Sequence, residues 1–186
     1  MMVEILMQNF QHFLRKVIEK NNHIQEVILM SIEIFHALNF IEKYNVTVLP
    51  DFPILHNICT YEGLVIKFYP FSGRIKAIYH NTADQIELIA IKKGLPEPHL
   101  KHLLACVLAH RLLSQPSTTS SYVKVLGFSE YYFDVKAENF AALFLVPPPA
   151  LAGICEQVSA CEISRLARIP ESLAKRRVDI YRHQSL

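Results

Sequence analysis

The chain has 186 residues, which suits one domain with a substantial core. Only 5 glycines exclude collagen-like and low-complexity classes, and 51% apolar against 19% charged residues describes an ordinary globular protein. A net charge of +2 does not by itself point to nucleic acid. The four cysteines, Cys59, Cys106, Cys155 and Cys161, never fall in a CxxC pair, which argues against a zinc ribbon or a thioredoxin-like motif. The opening MMVEILMQNF has no basic region ahead of a long apolar run, so it makes a poor signal peptide. VILMSIEIFHALNF, at 27–40, is broken by Glu33 and His36 and is too short to span a bilayer. The expectation is a cytoplasmic protein with reduced thiols and no membrane association.

Apolar Phe10, Phe13, Leu14, Val17 and Ile18 recur at helical spacing, which predicts a helix over 3–20. A second helix is predicted over 23–43, capped by Asn21 or Asn22. YNVTVLPDFP then reads as a short strand and a loop. LVIKFY, RIKAIYH and QIELIAIK are rich in Ile, Val and aromatics and are separated by turn chemistry in PFSG and NTAD. They predict three antiparallel strands in a meander, the last covered on both faces. GLPEP stops the sheet and starts a helix over 98–114 that is apolar nearly all round, a pattern typical of a central helix. QPSTTSSY, at 115–122, reads as a polar loop. A helix over 130–145 ends at the triple proline 147–149, and further helices follow over 148–158, 161–168 and 170–182, the last two joined by a tight turn at 169–172.

Within the central helix, HLLACVLAHRLL carries Cys106 and His110 one turn apart, roughly 6 Å between Cβ atoms. That spacing suits a metal, although a lone cysteine on an apolar helix is more often a small core residue. His102 extends the stripe to i, i+4, i+8, but His102 and His110 are two turns apart, about 12 Å, and cannot share one ion directly. His102 therefore reads as a helix-surface residue.

KHLLACVLAHRLL at 101–113 and DVKAENFAALFLVP at 134–147 together resemble the ImmA/IrrE family of metallopeptidase-like proteins. The family's helix carries HExxH. Its second signature is an acidic residue, an alanine three positions on, Phe-Ala-Ala and a later proline, here Asp134, Ala137, Phe140, Ala141, Ala142 and Pro147. The strand region and the tail EISRLARIPESLAKRRVDIYR are also similar, so the resemblance spans about residues 25–182. It implies an α+β, zincin-like metallopeptidase domain over 23–186, with a small antiparallel sheet, a central apolar helix and flanking helices. Residues 1–22 lie outside the resemblance and are expected to be an N-terminal helical extension whose apolar stripe covers the domain's own surface or mediates self-association.

Carried over position by position, the resemblance places a zinc site at Cys106, His110 and Asp134, with Val107 where the general-base glutamate belongs. Thiolate is a good zinc ligand, but valine moves no proton. Glu138, one turn beyond Asp134, is the one carboxylate offered as a substitute. The implied function is that of a degenerate metallopeptidase-like regulator acting through a protein partner, such as a helix-turn-helix transcriptional repressor. Two alternatives stand beside it. One is an active zinc metallopeptidase with a Cys/His/Asp site. The other is a DNA-binding regulator using the basic helix pair near the end, with Ser172, Lys175 and Arg176 toward the groove. That pair equally reads as packing for the domain, with Leu166, Ile169, Leu173, Val178 and Ile180 turned inward, and this reading makes DNA the lesser partner.

Overall fold

The computed structural model describes residues 24–73, 75–81, 86–113, 122–126, 135–152 and 159–184. In chain order its elements are α1 (Ile24–Lys43), α2 (Phe52–Tyr61), β1 (Leu64–Tyr69), β2 (Ala77–Asn81), β3 (Glu87–Lys92), α3 (Glu97–Leu113), β4 (Tyr122–Leu126), α4 (Val135–Leu145), α5 (Pro148–Ala152), α6 (Ala160–Ala167) and α7 (Glu171–Gln184). The α+β class is as expected. The helix predicted over 3–20 lies outside the described residues. No described helix is long and apolar enough to cross a membrane.

α3 and α4 form the centre. Every residue of α3 from Lys101 to His110 is buried, as is every residue of α4 from Ala137 to Leu145. α4 is packed on by α3, α1 and α7, and α2 lies between α3 and β1. The Phe40 ring of α1 meets Phe140 and Phe144 of α4 edge-on at 5.9 and 5.3 Å, locking the two helices with aromatic rings.

The expected antiparallel meander is corrected. The sheet has the order β1-β3-β2-β4. β1 pairs with β3 in parallel, and β2 is antiparallel to both β3 and β4. The connection over 70–76 opens with Pro70 and is too long for a tight two-residue hairpin, so β2 need not fall beside β1. β3 and β2 take the two inner positions, and β3 buries Ile89 and Ile91 on the face toward the helices.

Two further expectations change. No strand forms in YNVTVLPDFP; the chain runs into α2 instead. The Asp51 side chain accepts from the Ile54 N–H at 2.9 Å, and Pro53 sits in the first turn, where its missing N–H costs nothing. Gly63, at φ +83°, then turns the chain from α2 into β1. Tyr122 begins β4 rather than closing a loop.

The last two helices follow the expected pattern. Ser159 and Glu162 form a reciprocal cap at the start of α6. Arg168, in the left-handed region at φ 49°, ends α6, and Pro170 leads into α7. Ile163, Ala167, Ile169, Leu173, Ala174 and Ile180 are buried, so the pair packs inward.

Candidate metal centre

α3 presents His102 and Cys106 on one face, one turn apart, and α4 crosses that face with Glu138 in its first turn. The His102 Nε2 lies 2.7 Å from the Glu138 Oε1, and the Cys106 Sγ donates toward the same oxygen at 3.8 Å. One potential ligand atom from each residue falls within 4.8 Å of the others. All three side chains are enclosed, at 3%, 7% and 7% exposure. The group is therefore a buried His/Cys/Glu cluster that can bind a metal.

The donor set fits zinc. Imidazole nitrogen, thiolate and carboxylate are its usual ligands, and tetrahedral coordination separates such atoms by roughly 3.3–3.6 Å. The two observed separations bracket that range. Binding would replace the His102–Glu138 hydrogen bond and would require a deprotonated Cys106.

Of the residues expected at the site, Cys106 stands in this cluster. His110 is buried at 4% exposure, one turn further along α3, and Asp134 lies outside the described residues. The surface placement expected for His102 is overturned. α4 covers the turn from 102 to 106, so this histidine is as enclosed as its apolar neighbours. Glu138, offered as the substitute carboxylate, reaches both His102 and Cys106.

The 102–106 pair also recasts the helix motif. Taken one turn earlier, the His-Glu-x-x-His spacing has His102 and Cys106 as its ligand positions and Leu103 where the glutamate would be. In that register as in the other, the position that the resemblance would give to a general base holds a buried aliphatic side chain, Leu103 or Val107. Spacing alone does not choose between the two, because both pairs are i, i+4; the choice is made by where α4 crosses.

Three polar features near the centre are not marked by any local sequence pattern. Lys101, at 2% exposure, donates to the Ala167 carbonyl at the end of α6, and burial pushes its pKa down. Arg177, at 1% exposure, donates through Nε to the Val146 carbonyl at 2.8 Å, with burial pushing its pKa down to about 10. Both cations thus sit at helix carboxyl ends, where the backbone field favours positive charge. Asn139 donates to Glu33 at 3.4 Å and accepts from Arg176 at 2.9 Å, linking α4 to α1 and α7. His99, near the start of α3, has its pKa lowered by burial first and by His102 and Lys76 next.

The basic helix pair is correspondingly occupied. Lys175 pairs with Glu171 at 3.0 Å, Arg168 approaches Glu97 at 3.4 Å, Arg176 bonds Asn139, and Arg177 is inside. Set against protein-family models, curated proteins and solved structures, the chain matches none.

Proposed function

We propose that this chain is a metallopeptidase-like regulator that acts by binding a protein partner rather than by hydrolysis. In this reading His102, Cys106 and Glu138 hold zinc. Bound there, zinc would cross-link α3 to α4 and stabilise the pair. The observation that supports the reading is the pairing of a complete donor set with an aliphatic residue at the general-base position. Glu138 is the one described carboxylate in contact with His102 and Cys106, and a carboxylate that ligates metal does not also serve as a free base. The resemblance in the two helix signatures suggests a helix-turn-helix repressor as the partner. Duplex DNA is a poorer partner for α7, because Lys175 and Arg176 already bond within the chain.

Metal analysis under reducing conditions tests the centre. Wild type should carry close to one equivalent of zinc. Cys106→Ala and Glu138→Gln should lose it, and His110→Ala should keep it. Zinc below about a tenth of an equivalent in wild type rejects the metal centre. Retention by Cys106→Ala with loss in His110→Ala would move the site to the later turn. Chelator-sensitive cleavage of a repressor encoded beside this chain would overturn the non-hydrolytic reading.

A further inference from the structure

We propose that the sheet face turned away from the helices binds single-stranded nucleic acid, through stacking on Tyr69 and Phe71 and contacts from Lys67 and Lys92 to the backbone. This goes beyond the regulator reading and does not depend on the metal.

The pleat defines the face. On β1, Val65, Lys67 and Tyr69 alternate with the inward Leu64 and Ile66. The register carries the face across the sheet, pairing Lys67 with Ala90, Tyr69 with Lys92 and Ile78 with Ala90. The opposite face is the packed one, with Leu64, Tyr79, Ile89 and Ile91 buried. On the outer face Val65 and Tyr69 are 40% and 45% exposed, which leaves an aromatic ring accessible to a ligand.

The chemistry of the face narrows the occupant. Its described charges are Lys67 and Lys92, both positive, on a chain whose total is only +2, and the Lys92 ammonium donates to the Gly73 carbonyl at 3.2 Å beside the rings. Glu87, at the start of β3, is held by Tyr79 and Arg111 on the packed side. Tyr69 and Phe71 stack at 5.9 Å and 27°, so the two rings are already ordered as a platform. Beside them lies a cleft of about 250 Å³ lined by Tyr69, Phe71, Ile78, His80, Leu88 and Ala90. That is just under the roughly 300–1,000 Å³ that encloses a whole small ligand, so it suits a planar ring laid against the platform. Aromatic rings on a sheet flanked by lysines bind unpaired bases by stacking and the phosphates by charge. Duplex DNA hides its base faces.

Fluorescence anisotropy with fluorescein-labelled dT20 and the full chain tests the proposal. Wild type should bind with Kd on the order of 10 µM at low salt. Tyr69→Ala should weaken binding about tenfold. The Lys67→Gln, Lys92→Gln double variant should lower the salt slope by about 1.4, or about 0.7 for each phosphate no longer neutralised. Both variants alter partly exposed positions, and unchanged far-ultraviolet circular dichroism confirms their folding. A matching duplex should bind more weakly than dT20. No binding at 100 µM protein overturns the proposal. So does full affinity in Tyr69→Ala, or equal weakening by Arg165→Gln on α6, since either would make the binding mere attraction to net charge. Tyr69-dependent partition onto phosphatidylserine vesicles without dT20 binding would assign the face to a membrane and refute it.

Discussion

Replacing Arg111 by methionine should destabilise the protein in a pH-dependent way. Arg111 closes α3 and reaches two carboxylates from separate elements. It bonds Glu62, which caps α2, and donates through Nε to Glu87 of β3 at 2.7 Å. Methionine keeps most of the stem and removes both bonds. Charge-assisted bonds contribute about 1.5–3 kcal/mol each, and the Arg111 side chain is 28% exposed, so the lower end applies and the loss is about 3 kcal/mol at pH 7. Burial pushes the Glu62 pKa up, but the bonds from Lys43, Tyr44 and Arg111 together outweigh it and hold the group below its ordinary 4.5. A carboxyl with a depressed folded pKa adds stability above its unfolded pKa and loses it as pH falls through the folded one. The deficit of Arg111→Met should therefore be largest at pH 7 and shrink as acid titrates Glu62, below 4.5, because wild type then loses the same contribution. Urea unfolding followed by circular dichroism across a pH series from 7 downward measures it. A deficit that stays constant, or one below about 1 kcal/mol at pH 7, refutes the reasoning.

Phe144→Ala should cost about 3–5 kcal/mol, because the ring is fully buried and meets Phe40 at 5.3 Å; a urea-unfolding loss under about 1.5 kcal/mol would show that the site collapses freely. Asp51→Ala should cost about 1 kcal/mol through loss of the α2 cap, and an unchanged melting temperature counts against that cap's contribution. Burial pushes the Cys59 thiol up to about 12, whereas Cys161 is exposed. Iodoacetamide at pH 8 followed by peptide mass mapping should therefore label Cys161 and leave Cys59 untouched until denaturant is added; labelling of both in the native protein contradicts the burial.

The parts of the fold that could be read from sequence were those governed by local pattern. α3 was legible because apolar residues occupy all its sides, and α6 and α7 because serine, proline and the tight turn punctuate them. The strand character of β3 followed from its uninterrupted Leu-Ile-Ala-Ile run. Strand order did not, because pairing is decided by loop reach and competition for the best-covered neighbour. α2 was obscured by the β-branched residues just before it, although Asp51 and Pro53 are a cap and a first-turn proline. At the candidate centre the residue types were visible but not the turn of α3 that α4 crosses. A helix apolar on every side has no marked face, so nothing local separates His102–Cys106 from Cys106–His110. Glu138 was legible as a nearby carboxylate, and its contact with His102 follows only from the tertiary crossing.

The Lys101 ammonium is a buried charge near the start of the central helix, and its backbone partner is Ala167, 66 residues further along. During synthesis the helix is complete long before residue 167 leaves the ribosome. Until then, closing the core around α3 would enclose an unmatched cation, which costs several kcal/mol. The Arg177 contact to Val146 sets the same condition from the other direction. Final closure of this domain is thus deferred until its tail has been made, and a nascent chain stopped short of residue 167 should remain loose and protease-sensitive however much of its apolar core is already present.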